Sequence, residues 1–178
     1  MLTEAAQRKD NRLNVCADME TVDLYLSLGS NQGNREDNIE NALSLLNIEL
    51  KTPYKVLSSL IETQPWGFES EGKFLNAAVH YELRLPKGYN PEAEGLMILA
   101  CCKKVEKMMG RTGEPEYDEN GMRIYKDRPI DIDILLFGDN NIDTEELTVP
   151  HKLMYERDFV MEPLREIAGQ AGNDVIPT

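Results

Sequence analysis

The run Arg128-Pro129-Ile130-Asp131-Ile132-Asp133-Ile134-Leu135-Leu136-Phe137 alternates apolar and charged residues with a period of two. That period belongs to a β-strand, and the β-branched isoleucines and the closing Gly138-Asp139-Asn140 turn agree with it. Both carboxylates therefore leave one face, while Ile130, Ile132 and Ile134 leave the other. Like charges at i and i+2 lie roughly 6.5 Å apart and repel by about 2–3 kcal/mol at an effective dielectric near 20. A half-buried strand carries that repulsion only with a compensating cation. A divalent metal bridging to phosphate supplies one, because hard cations take carboxylate oxygens and leave positions for substrate. The alternative is a solvent-facing edge strand whose charges only blunt aggregation.

Upstream, Val22 to Leu28 alternates in the same way and runs into Gly29-Ser30-Asn31-Gln32-Gly33, a first strand ending in a tight loop. Asn34 caps a helix through Asn47 with the stripe Ile39, Ala42, Leu43, Leu46. A second strand spans Tyr54 to Thr63, a turn-rich loop holds Gln64-Pro65-Trp66-Gly67-Phe68, and a third strand spans Phe74 to Leu85. Pro91 opens a second helix whose apolar positions are Leu96, Leu99, Ala100, Val105 and Met109, flanking Lys103, with Gly110 as its stop. Residues 111–127 are polar and turn-rich, the signature of a functional lid or of disorder. Short helical stretches follow Thr148-Val149-Pro150-His151 and cover Pro163 to Ala168. The β-α-β-β-α-β order predicts an α+β fold, a ferredoxin-like αβ sandwich with an antiparallel sheet and its helices on one face.

With 178 residues the chain suits one domain over 20–178, preceded by a polar, flexible tail over 1–19. Met19 is a second candidate initiator. The net charge of −13 argues against nucleic acid as a partner, which demands a basic face. A small polyanion remains compatible, because Lys103, Lys104, Lys107, Arg111, Arg123, Lys126 and Arg128 crowd beside the paired aspartates. Cys16, Cys101 and Cys102 form no C-x-x-C, so a reducing cytoplasm is expected. No apolar run approaches bilayer length, and no membrane partner is expected.

Chemistry on a polyphosphate requires metal ligands, cationic donors and a closing element. Arg111 and Arg128 bracket the lid segment, although either could serve as a surface ion-pair partner. Trp66, Phe68 and Phe159 could hold a planar heterocycle, with the Asn76 amide reading its edge; the same rings could equally cap the core. His151 and Arg157 are spaced to reach phosphates. The glycine loop matches neither phosphate-binding fingerprint and suits geometry alone. His80, Cys101 and Cys102 read as structural, and Glu36, Asp37 and Glu40 as solvated surface.

Taken together, Leu28-Gly29-Ser30-Asn31, Thr63-Gln64-Pro65-Trp66-Gly67, Phe74-Leu75-Asn76-Ala77-Ala78-Val79, Gly110-Arg111, Arg128 with Asp131 to Gly138, Thr148-Val149-Pro150-His151 and Arg157-Asp158-Phe159-Val160 resemble hydroxymethyldihydropterin pyrophosphokinase, a folate-pathway family. The resemblance runs from about Leu24 to Ala168. It implies transfer of pyrophosphate from ATP, the co-substrate, to the hydroxymethyl group of 6-hydroxymethyl-7,8-dihydropterin, with release of AMP. It further implies that Asp131 and Asp133 hold two Mg²⁺ ions and that Arg111 and Arg128 stabilise the transferring group. Thr63, Gln64, Trp66, Phe74, Asn76 and Phe159 would bind the pterin. Lys103, Glu106, Arg128, Ile134, Thr148, His151 and Arg157 would bind ATP. A monomer is expected. Two rivals remain: a transferase with a different acceptor alcohol, and a non-catalytic ligand-binding module of the same fold.

Overall fold

A computed structural model describes residues 18–65, 72–111, 116–117, 119, 123–124 and 127–169. The elements run β1 (Met19–Ser30), α1 (Arg35–Glu49), β2 (Val56–Leu57), β3 (Ile61–Thr63), β4 (Phe74–Pro86), α2 (Pro91–Met108), β5 (Glu116–Tyr117), β6 (Arg123–Ile124), β7 (Asp131–Phe137), β8 (Ile142–Asp143) and β9 (Thr148–Val149). A 3-10 turn (Met154–Glu156) and α3 (Asp158–Ala168) complete them. The main sheet has the order β2-β4-β1-β7 with β3 also on β4, and every pairing is antiparallel. The fold is therefore α+β with an antiparallel sheet. β1 starts at Met19, opposite Pro86, three residues earlier than the alternation alone indicates. Of the tail expected over 1–19, residues 1–17 lie outside the described residues and Met19 already belongs to β1.

Alternation along each strand builds two cores. Leu24, Leu26 and Leu28 of β1, Leu75, Val79 and Tyr81 of β4, and Ile132 and Ile134 of β7 face one way, against Ile39, Leu43 and Leu46 of α1 and Ile98, Cys102 and Val105 of α2. Each such fully buried aliphatic side chain contributes about 1.5–3 kcal/mol. Tyr25, Ala78, Leu135 and Leu136 face the other way, against Val160, Met161, Leu164 and Ile167 of α3. Helices thus cover both faces of the sheet, not one. A bulge opposite Tyr25 and Leu26 leaves Leu135 as the extra residue. It lets both Leu135 and Leu136 meet α3 while Asp131 and Asp133 keep their face.

Three other local outcomes differ from the sequence pattern. The second strand is split, because the Ser58 hydroxyl accepts from Ala78 N–H at 2.9 Å and Ser59 N–H turns away to Glu166. The buried stripe of α2 is Gly95, Ile98, Cys102, Val105 and Glu106, rotated from the expected one. α3 begins at Asp158 and continues through Pro163, so Phe159 lies in a helical first turn and not in an irregular segment. Both long helices start as read: Asn34 and Asn90 accept from Asp37 N–H (3.3 Å) and Ala93 N–H (3.0 Å). The lid expected over 111–127 lies mostly outside the described residues; within it β5 and β6 pair.

Candidate active site

The sheet face that α3 leaves uncovered is the floor of a pocket. Ser27 and Gly29 come from β1, Thr63 from β3 with Gln64 beyond it, Phe74 and Asn76 from β4, and Asp131 and Asp133 from β7. Arg128, Arg157 and Phe159 form its walls, around roughly 570 Å³ of empty space. Register explains this gathering. Gly29 pairs with both Asn76 and Asp131, and Ser27 with Asp133, so strands far apart in sequence aim alternate residues at one point. Gly29 is required by a close approach: a Cβ there would stand 3.2 Å from the Asn76 Oδ1 atom.

At the end lined by β3 and β4, the Asn76 amide is 3% exposed and donates to Thr63 Oγ1 at 2.8 Å. Phe74 carries the Arg128 guanidinium 5.8 Å above its ring, and Phe159 carries that of Arg157 at 5.9 Å. Trp66 and Phe68, named from the sequence as further ring partners, lie outside the described residues.

At the carboxylate end the two aspartates differ. Arg111 Nη1 stands 2.5 Å from Asp131 Oδ1, and Arg128 Nη1 stands 3.3 Å from Asp131 Oδ2. Burial pushes the Asp131 carboxyl up, but Arg128 and Arg111 outweigh it and hold the group below the usual carboxylate range. Asp133 goes the other way: burial and the neighbouring Asp131 charge raise it, against a smaller pull from His151. Burial lowers His151, so its imidazole is neutral at pH 7, and its Nδ1 accepts from Leu153 N–H at 3.3 Å. This leaves Nε2 as the N–H donor.

Glu106 supports the site from behind. It is 2% exposed, and its Oε1 accepts from Arg111 Nη1 (2.7 Å) and Ile132 N–H (2.8 Å), while its Oε2 takes Lys103 Nζ (2.9 Å). Burial raises its pKa, opposed by Lys103. Sequence expectation put Glu106 on the nucleotide; here it anchors Arg111 and the outer edge of β7. Ile134, expected by resemblance at the nucleotide, turns its side chain away from the pocket. It is 3% exposed within the helix-side core, because the alternation that aims Asp133 into the pocket turns the Ile134 side chain away. Thr148 lies on β9 with its hydroxyl toward Asp143 Oδ1 (3.4 Å), outside the pocket lining.

Asn31, which reads from the sequence as part of a loop serving geometry alone, holds the segment that carries Arg128. Its Nδ2 donates to Asp127 Oδ1 (2.6 Å), its Oδ1 accepts from Arg128 N–H (2.8 Å), and its own N–H donates to Arg128 O (3.3 Å). The end of β1 thereby fixes the backbone that carries Arg128. No periodicity marks such a residue; only a buried amide in a polar loop betrays it.

A divalent cation fits this arrangement. Mg²⁺ is commonly held by one or two carboxylates, with phosphates and water completing its shell. Asp131 and Asp133 supply two carboxylates on one face of an open pocket. Among the described residues no group of three or more His, Cys, Asp or Glu could hold a metal ion. His80 is structural, as expected: it bonds Asp23 at 2.8 Å and stacks on Tyr25 at 4.6 Å. Cys102 is fully buried and its thiol is pushed far up by burial.

A family model described as 7,8-dihydro-6-hydroxymethylpterin-pyrophosphokinase matches residues 25–169. A Bacillus subtilis protein named 2-amino-4-hydroxy-6-hydroxymethyldihydropteridine pyrophosphokinase is 40% identical over 146 residues, covering 82% of this chain and 78% of the relative. A Porphyromonas gingivalis protein of the same name is also 40% identical, over 82% of this chain and 90% of its own length. An Arabidopsis thaliana folate synthesis bifunctional protein is 37% identical over 83% of this chain, which spans 27% of that longer relative.

Proposed function

The chain belongs to the 7,8-dihydro-6-hydroxymethylpterin-pyrophosphokinase family, and from that premise we propose how its pocket performs the reaction. The protein is an ATP-dependent pyrophosphokinase of folate biosynthesis. The hydroxymethyl oxygen of the reduced pterin attacks the β-phosphorus of ATP. The bond from that phosphorus to the α–β bridging oxygen breaks, AMP leaves, and the hydroxyl proton passes to solvent.

One observation carries the assignment of roles. The paired carboxylates share a single sheet face with Asn76, Thr63 and Phe74, so an acceptor ring and a triphosphate meet within one pocket. Phe159 and Phe74 provide the apolar surfaces for the pterin, Asn76 and Thr63 its polar edge, and Gln64 lies beside them. Asp131 and Asp133 would hold two Mg²⁺ ions, which supply neutralisation of the triphosphate's charge. Arg128 and Arg111 meet charge that develops on the transferring group, where a preorganised guanidinium suits phosphate oxygens. Arg157, Lys103 and the Nε2–H of His151 receive the nucleotide. A loose phosphoryl-type transition state needs little help from a base, so position and charge bear most of the work.

The strand order, with β1 and β4 central and β7 and β2/β3 outside, supports a ferredoxin-like βαββαβ reading of the fold over a single domain at 20–178. The same reading carries a monomer in the cytoplasm with ATP and pterin as its partners, and with neither nucleic acid nor membrane; the net charge of −13 supports it. Among the described residues no helix is long and apolar enough to cross a membrane. The test is an assay that separates AMP from ADP. Pterin-dependent, Mg²⁺-dependent AMP supports the reading, whereas ADP would indicate single phosphoryl transfer, and no turnover would favour a binding module.

A further inference from the structure

We propose that Arg111 is the resident counter-ion of Asp131, occupying one carboxylate oxygen until a divalent cation and a triphosphate arrive together and exchange partners with the pair. The inference rests on the metal assignment made above. Both oxygens of Asp131 already face guanidinium nitrogens, Arg111 on Oδ1 and Arg128 on Oδ2. A cation bound to Asp131 meets two like charges already beside the carboxylate, and moving one of them away relieves that repulsion. Arg111 is the one whose route is prepared. It hangs from the end of α2 and is shared between Asp131 and the buried Glu106 carboxylate, so on leaving Asp131 it keeps an anionic partner behind it. Arg128, by contrast, has its backbone clamped by Asn31 on both the N–H and C=O sides.

The exchange conserves charge. An arginine–carboxylate pair and a metal–phosphate pair become a metal–carboxylate pair and an arginine–phosphate pair, with no charge left uncompensated in a partly buried site. A bare cation offers no phosphate to receive Arg111, so it must compete with the guanidinium alone. The same ion pair that keeps Asp131 satisfied in the free protein therefore weakens metal binding without nucleotide, and triphosphate relieves that competition.

The experiment is titration of the full chain with Mn²⁺ without nucleotide, reading free Mn²⁺ by electron paramagnetic resonance. Arg111→Gln removes the charge but keeps an amide for Glu106. It is expected to bind Mn²⁺ roughly tenfold tighter than the parent protein. Lys104→Ala is the control, since Lys104 lies on the same helix but pairs with Glu49 and not with Asp131; it should change Mn²⁺ affinity by less than about threefold. Arg111→Ala provides a second variant, with near-ultraviolet circular dichroism verifying that each is folded. With a non-hydrolysable ATP analogue present, the advantage of both Arg111 variants should vanish or reverse. Unchanged Mn²⁺ affinity in the folded Arg111 variants, or an equal gain in Lys104→Ala, overturns the exchange while leaving the metal site intact. Mn²⁺ binding that survives Asp131→Asn unaltered overturns the metal assignment itself, and the exchange with it.

Discussion

Asp131 and Asp133 leave the same face of β7 yet sit at opposite electrostatic extremes. Two arginines meet Asp131 at 2.5 and 3.3 Å, and its carboxyl is held below the usual range; Asp133 is raised by burial and by Asp131 itself. Asp131 is met by two arginines of the protein, whereas the pull on Asp133 comes from His151, Lys103 and Arg157 and does not offset its burial. That asymmetry gives opposite predictions for the two residues.

Asp133→Asn should stabilise the protein in the absence of metal. A carboxyl raised in the folded state contributes most below its unfolded pKa, near 3.9, and its contribution fades as pH rises through the folded value. Removing it at pH 8 should therefore raise the melting temperature, by about 1–2 kcal/mol or roughly 2–6 °C, and the gain should shrink as pH falls. Asp131→Asn should do the reverse. A lowered carboxyl contributes above its unfolded pKa and loses that contribution on acidification, so the substitution should lower the melting temperature at pH 8. Thermal melts of both variants at pH 8 and pH 5, with Asp131→Asn followed also below the unfolded carboxylate pKa near 3.9, decide the matter; equal shifts at pH 8 would contradict it.

Asn76→Ala should separate the two substrates. It removes a buried amide aimed at the pocket and its bond to Thr63. Pterin affinity should fall by about ten- to a hundredfold, the usual cost of a lost hydrogen bond in a site built for one. ATP affinity, read by calorimetry without pterin, should stay within about twofold. A larger loss for ATP would move Asn76 out of the acceptor subsite.

Asn31→Ala should act through Arg128. Both side-chain bonds that tie Asp127 and the Arg128 backbone to β1 disappear. The expected result is a drop in kcat of about tenfold or more, with pterin affinity within about threefold, because a misplaced charge costs the transition state before it costs binding. Asn31→Asp should be no rescue, since it sets a carboxylate against Asp127. Stopped-quench measurement of the chemical step checks this.

Gly95→Ala tests the packing that places Glu106. Alanine normally favours a helix by about 1 kcal/mol over glycine. Here the added Cβ would stand 2.7 Å from Ile142 and 2.9 Å from Leu147, both side-chain atoms. Overpacking should win, for a net loss of about 1–3 kcal/mol in denaturant unfolding. A gain in stability would show that the β8–β9 contact yields freely.

The parts of the molecule that alternation or capping dictates could be read from the chain. The face shared by Asp131 and Asp133, the Asn34 cap, the Pro91 start of α2, and the α1 stripe at Ile39, Ala42, Leu43 and Leu46 all follow from local period and side-chain chemistry. Local rules failed where a distant group intervened. Glu166 on α3 takes the Ser59 N–H and hydroxyl and so divides a continuous strand. Pro163, normally a helix boundary, is carried within α3 by the apolar face of Val160, Leu164 and Ile167. Glu106, expected at the nucleotide by resemblance, is buried where Ile132 N–H, Arg111 and Lys103 converge on it. Its role, like that of Asn31, depends on which strands become neighbours, and no spacing within one segment encodes that.

The central claim is that triphosphate and pterin meet over the Asp131–Asp133 face. The most direct measurement is a crystal structure with a non-hydrolysable ATP analogue, Mg²⁺ and 6-hydroxymethylpterin. The account predicts metal density against both carboxylates, Arg111 withdrawn from Asp131 onto phosphate, and the pterin edge on Asn76 with its ring against Phe159. A triphosphate bound elsewhere, with both aspartates free of metal, would contradict it.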